Sequence, residues 1–354
     1  MAEMTSRERV LTAARRQLPD RIPRHIQLEA YVHKQLCQKL GTDDLMTALK
    51  DDIAGVGAAA TRLQTDYSSY FTRPGVTWDE WGRGRVWDNI GQYAEYLYPL
   101  ERAEKVDEIL RFPWPDLDEP YRYAGLDEFV AGLHARGYAV FGGLAETVFE
   151  IAWQLRSMDR LFEDISQQDE KAVVLLDAIT DRRVATARAY ARAGVDMIQV
   201  GDDVAMQNSL MISRKMWRAW FQPRLKRVID AAHEINPDIL IEYHSDGKIN
   251  DLVGDLIETG VDILNPVQPE CVDHTWAKAT YGQQLSFSGG LGVQSVLPFG
   301  TPDEVRVHVQ QAIETLGFGG GYIIGPSHVV ERDVPWENFF AMIETIDQFG
   351  VYKE

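Results

Sequence analysis

The amino-acid sequence predicts an α/β fold, a (β/α)8 barrel. From Leu126 onward, short apolar runs alternate with segments of helical periodicity, joined by short loops, which is the pattern of a parallel sheet with right-handed crossovers. Seven or eight such units in about 350 residues favour a closed barrel over an open sheet. Two of the runs, Ile239-Leu240-Ile241-Glu242-Tyr243-His244 and Gly321-Tyr322-Ile323-Ile324-Gly325-Pro326-Ser327-His328, stop on a histidine where a loop must begin. Loops at the carboxyl ends of barrel strands converge, so residues about eighty positions apart can face one ligand.

Taken in order, Thr5-Ser6-Arg7-Glu8 opens a helix with a Ser/Thr cap and an acidic first turn, and Pro19 ends it near Gln17. A short strand is expected at 22–28. Residues 66–124 break the rhythm: Trp78, Trp81, Trp87, Tyr93, Tyr96, Tyr98, Trp114 and Tyr121 are interleaved with Gly and Pro and show little helical period. This is read as an insertion of hairpins and loops in a single domain spanning 1–354. Thereafter strands are expected at 139–144, 197–202, 239–243, 261–266, 285–289 and 321–324. Helices are expected at 147–164, 170–192, 215–234, 249–258, 302–316 and 336–348.

Composition excludes several partners. With 54 acidic against 36 basic side chains the formal net charge is −18, so a phosphate backbone is repelled and nucleic acid is not expected. Only Cys37 and Cys271 are present, which gives no disulfide framework and fits a reducing compartment. The first sixteen residues hold no apolar signal core, and no apolar run approaches the roughly 20 residues that span a bilayer. A soluble, cytoplasmic protein is expected.

A resemblance then comes into view. Ser6-Arg7-Glu8-Arg9-Val10 with Pro19-Asp20-Arg21-Ile22-Pro23, the Val200-Gly201-Asp202-Asp203 strand end, residues 213–223, and the His244-Ser245-Asp246-Gly247 turn all resemble the uroporphyrinogen decarboxylase superfamily. So do Asn265-Pro266-Val267-Gln268-Pro269, Ser288-Gly289-Gly290, and Gly319-Gly320-Gly321-Tyr322 through His328 with Pro335-Trp336-Glu337-Asn338. The resemblance covers nearly the whole chain and implies a TIM-type barrel. Porphyrinogen decarboxylases carry Arg-Gln-Ala-Gly-Arg-Tyr after the first strand, where arginines grip carboxylates; here the stretch is Ile26-Gln27-Leu28-Glu29-Ala30-Tyr31. The chain therefore looks like the other branch, the methyltransferases that serve corrinoid proteins and methylated thiols or methoxy compounds.

That branch implies zinc held by a His-x-Cys pair and a distant Cys. Here His244 matches the histidine, Asp246 stands in place of the first cysteine, and His328 lies near the second. Residues two apart on a strand share a face, so His244 and Asp246 can both turn inward. A His/Asp/His set leaves an open zinc position, and Cys271 is a further candidate ligand. An N/O site suits polarising a methoxy oxygen better than activating a thiol. Other readings stand beside these: the histidines orienting substrate or bonding one another, Asp246 as a turn residue before Gly247, and Cys271 as a packed thiol. Asp202 and Asp203 are candidate acid/base or substrate-binding carboxylates, or caps, and Glu146 a candidate proton source. The aromatic insertion reads as a lid over an aromatic substrate or as a homo-oligomer contact, the latter preferred.

The expected activity, by resemblance, is transfer of a methyl group from a small methylated substrate, such as an aryl methyl ether, to a corrinoid protein, or onward from it to an acceptor. No Asp-x-His-x-x-Gly cobalamin motif occurs in the chain, so cobalamin would arrive on that partner. The rival is a uroporphyrinogen-type decarboxylase, for which Arg73, Arg83 and Arg85 are the available anchor. A third reading is a barrel that binds without catalysis.

Overall fold

The computed structural model describes residues 3–88 and 94–352; Tyr93 lies outside them. Among the described residues ten strands are seen: β1 (Ile53–Val56), β2 (Thr77–Trp78), β3 (Gly84–Trp87), β4 (Ala94–Leu97), β5 (Ala139–Ala145), β6 (Met197–Gly201), β7 (Leu240–His244), β8 (Ile263–Asn265), β9 (Ser286–Leu291) and β10 (Tyr322–Pro326). Seven form one sheet in the order β1-β5-β6-β7-β8-β9-β10, every pair parallel. Helices such as Glu170–Ala193, Pro302–Leu316 and Trp336–Phe349 fill the crossovers.

The expected eighth strand is replaced by an irregular segment. Residues 22–28 run beside β10, where His25 N donates to Ile324 O and Ile324 N to Pro23 O. Strand pairing survives there only as single bridges, Arg24 with Ile324 and Leu28 with Val330. On the β1 side, carboxylates take the place of a ladder: Asp52 Oδ2 accepts from Arg24 N at 2.9 Å and Asp51 Oδ2 from Ile26 N at 2.9 Å. Pro23 has no N–H to give, so a regular strand is not available here. The barrel is closed by a seam.

Inward-facing residues change character along the strands. At the amino-terminal end Ile53, Ala139, Met197, Leu240, Ile263 and Ile323 make an apolar plug, with Val10 and Ala14 of the helix Ser6–Ala14 packed against it. Ser286 Oγ caps that helix, donating toward Ala13 O and Ala14 O at 3.1 and 2.9 Å. The helix thus stoppers the end of the barrel away from the converging loops. Further along, the same faces carry Gln199, Glu242, His244, Asn265 and Ser288. Polar chemistry is concentrated at the carboxyl ends.

Two long expected helices are broken: 147–164 at Ser157, between Phe149–Arg156 and Met158–Ser166, and 215–234 at Phe221, just before Pro223. The insertion holds a three-stranded antiparallel sheet, β2-β3-β4. Its aromatics pack among themselves, with Tyr67 and Trp81 buried and Tyr67, Tyr70, Phe112 and Trp114 in mutual ring contact. Among the described residues, no helix is long and apolar enough to cross a membrane.

Candidate functional site

Strand register sets the site. Ala145, Gly201, His244 and Asn265 are successive partners across β5, β6, β7 and β8, one level at the carboxyl ends. Gly201 has φ +143°, and a Cβ there would lie 2.0 Å from His244 O, so no other residue lets β6 approach the histidine this closely. An inner cavity of about 200 Å³ opens above this level, bordered by His244, Asn265, Ser288, Ser327 and His328. An outer cavity of about 460 Å³ adjoins it, sharing Ser327 and His328 and adding Asp246, Gln268, Phe299 and Glu331.

His244, Asp246 and His328 come together at the junction of the two. Each offers one ligand atom, and these atoms all lie within 4.8 Å of one another. His244 is held from behind: its Nδ1 is 2.6 Å from Asn265 Oδ1, while Asn265 Nδ2 donates to Ser288 Oγ at 3.2 Å. With the amide oxygen facing Nδ1, Nε2 is the ring atom turned toward the carboxylates. That atom is 3.9 Å from Asp246 Oδ1 and 3.9 Å from Asp203 Oδ1. Burial raises the Asp246 carboxyl pKa, with Asp203 adding to the effect and His244 opposing it. The expected fourth candidate stands apart, since Cys271 Sγ bonds Gln207 Oε1 at 3.0 Å and is not among the three.

The other carboxylates divide by environment. Asp203 accepts the backbone N–H of Asp246 at 2.8 Å and faces His244. Asp202 is buried at the start of the helix Phe149–Arg156, where it accepts N–H bonds from Val148 and Glu150 at 3.0 to 3.1 Å. Burial pushes it up to about 6 against those amides. Glu150 lies beside both aspartates, bonds Asp203 N at 3.2 Å, and is pushed up to about 9 by burial and then by Asp202 and Asp203. Glu150 holds the proton of this group because Asp202 has the amides that favour a charge. Glu146 differs: burial raises its pKa, but Arg83 Nη1 at 2.5 Å outweighs that and leaves it lowered.

Comparison with known proteins identifies the family. A sequence model of the uroporphyrinogen decarboxylase (URO-D) family matches residues 106–349, more than half of the chain. The chain belongs to the URO-D family. Within it, the chain is 24% identical over 197 residues to the methylcobamide:CoM methyltransferase MtaA of Methanosarcina barkeri, covering 56% of this chain and 51% of that one. It is 26% identical over 234 residues to the methylated-thiol–coenzyme M methyltransferase of Methanosarcina mazei, covering 65% and 60%. The uroporphyrinogen decarboxylase of Thermus thermophilus is 25% identical over 179 residues, 49% of this chain and 48% of that one. The chain thus matches about half to three fifths of the length of these curated relatives. A solved structure of a methyltransferase from Methanosarcina mazei superposes with a TM-score of 0.68 at 17% identity, covering 98% of this chain and 99% of that one, which supports the barrel fold.

For a URO-D family member, the arginines of the insertion are otherwise engaged. Arg73 pairs with Glu95, Arg83 with Asp79 and Glu146, and Arg85 sits 3.9 Å from Asp79 and over the Tyr96 ring. None of the three, and none of the insertion's described aromatics, borders either cavity. Several residues that do matter to the site carry no role in the sequence reading. Asn265 is a strand-end amide before Pro266, Glu150 an ordinary first-turn acid, and Ser327 one hydroxyl among many. His25 and Gln27, from the seam, border the inner cavity with Gln199, whose Nε2 donates to buried Glu242 at 2.9 Å. Burial works against a charged His25, but Asp51, with Glu242 beyond it, prevails and raises its pKa.

Proposed function

We propose that this protein moves a methyl group from a small methylated substrate, an aryl methyl ether, to the cobalt of a separate corrinoid protein, using a zinc ion held by His244, Asp246 and His328. The observation that carries this reading is the convergence of those three donors at the junction of two cavities, with Asn265 orienting the His244 ring. An N/O/N donor set, one member oriented by a hydrogen bond on its far nitrogen, fits zinc with a position left for substrate. When bound, zinc would act as a Lewis acid on the ether oxygen, the leaving group of a methyl transfer.

The chain's own residues supply the remainder. Asp203, at the 3.9 Å position beside His244 Nε2, is assigned as the carboxylate that relays a proton from solvent to the phenoxide oxygen as its bond to the methyl carbon breaks. Asp202 and Glu146 suit supporting roles, the first fastening the helix Phe149–Arg156 and the second anchoring the insertion through Arg83. The cobalamin is taken to come on the partner, which the cobamide-linked relatives support. Cys271 is left outside the zinc set. The decarboxylase alternative asks for cationic anchors, and the arginines proposed for it are paired elsewhere.

The test is incubation of the purified, metal-analysed protein with a reduced corrinoid protein and methoxybenzenes. The cobalt absorbance is followed in both directions of transfer. Methylcobalt formation that requires stoichiometric zinc supports the reading. Metal-free active protein, or release of carbon dioxide from a porphyrinogen, overturns it.

A further inference from the structure

One buried polar atom in the site has no partner. Ser327 is 2% exposed, its Oγ makes no hydrogen bond, and the residue borders both the inner and the outer cavity. Its backbone is fixed, Ser327 N donating to Leu291 O at 2.7 Å, so the hydroxyl is presented beside His328 from a rigid strand end. A buried hydroxyl without a partner is costly unless something else in the cavity completes it.

The surroundings limit what that something is. Among the described residues, the inner cavity is bordered by amides (Gln27, Gln199, Asn265), hydroxyls (Ser288, Ser327) and imidazoles, with no Lys or Arg. Of the imidazoles, His25 lies 3.3 Å from Asp51 and His244 3.9 Å from Asp203 and Asp246. The outer cavity, through which a ligand would pass, carries the carboxylates Asp246, Glu331 and Asp333. At about 200 Å³ the inner space is smaller than the roughly 300–1,000 Å³ of drug-sized sites, which fits one small ring.

We infer that Ser327 is the substrate's hydrogen-bond donor, its Oγ–H given to the ether oxygen. This rests on the methyl-ether reading of the same site and adds its anchor. Ser327 is a positioning residue in this role.

The test is calorimetric binding to the purified, metal-analysed protein of two ligands: methoxybenzene, and ethylbenzene, which matches its shape without the oxygen. Ser327→Ala is expected to lose about tenfold for methoxybenzene and nothing for ethylbenzene, with zinc content and melting temperature unchanged. An equal loss for both ligands, or no binding of methoxybenzene by wild type, overturns the inference. Because binding is read without turnover, the two readings fail separately. Ser327-dependent binding with no methyl transfer sinks the reaction and keeps the anchor; methyl transfer undiminished by Ser327→Ala does the reverse.

Discussion

Asn265 and His244 face each other across neighbouring strands, Oδ1 to Nδ1 at 2.6 Å, and this contact decides which ring nitrogen points toward Asp246. Partners of this kind on the far nitrogen of a metal-binding histidine are worth about 10–100-fold in affinity. Asn265→Ala is therefore expected to weaken zinc binding by about that factor, read by competition with a chromogenic chelator. An unchanged zinc affinity would mean that the amide does not orient the ring.

The three-residue group makes a second prediction. His244→Ala and His328→Ala should each reduce zinc from near stoichiometric to background in elemental analysis, while Cys271→Ser keeps it. The thiol bonds Gln207 and lies outside the group. Zinc loss in the serine variant alone would reassign the site.

A third prediction concerns pH. Glu150 is pushed up to about 9 in the folded chain from an ordinary value of 4.5, so folding takes up a proton between those limits. Its contribution to stability is whole below about pH 4.5 and drains away as pH rises toward about 9. The urea midpoint of metal-free protein should therefore fall from pH 5 to pH 9, and Glu150→Gln should flatten the slope and raise the midpoint at pH 9. A slope unaltered by the substitution would show that Glu150 is ionised in the fold.

The fourth concerns the insertion. Arg83 is buried between Asp79 Oδ2 at 2.6 Å and Glu146 Oε2 at 2.5 Å, and it also donates to Gln154. Breaking a buried pair by removing one partner costs on the order of 3–5 kcal/mol. Arg83→Met should lower stability by about 3 kcal/mol in denaturant titration and open the 66–124 segment to limited proteolysis. Stability within about 0.5 kcal/mol of wild type, on the order of a surface substitution, would remove the arginine's anchoring role.

Much of the fold is legible in the sequence because strands buried on both faces read as apolar runs, and those from 139 to 326 lie within two or three residues of their expected bounds. β1 is not legible: Ile53-Ala54-Gly55-Val56 is too short and too small-sided to stand out. The helix Ala30–Leu40 is equally inconspicuous, because only Val32 and Leu36 are buried in it and its other positions are polar or exposed. At 22–28 the apolar pattern is right and the backbone pairing is not, since the Asp51 and Asp52 side chains replace main-chain acceptors. In the site, His244, Asp246 and His328 are visible as strand-end ligand types. Asn265, Glu150 and Ser327 are not, because their importance comes from what surrounds them: an imidazole behind an amide, two aspartates beside a glutamate, a hydroxyl with nothing to bond.

The seam has a consequence for any shortened form of this protein. The URO-D match begins at residue 106, whereas the segment that closes the barrel lies at 22–28 and is bonded to the far end of the chain, Ile22 N to Gly350 O and Arg24 to Asp347. Cutting back to the matched span would remove His25 and Gln27 from the cavity and leave β5 and β10 as two bare sheet edges. Open edges recruit one another. Such a fragment would be a self-associating sheet rather than a smaller barrel, and the first fifty-odd residues are the clasp that keeps each copy to itself.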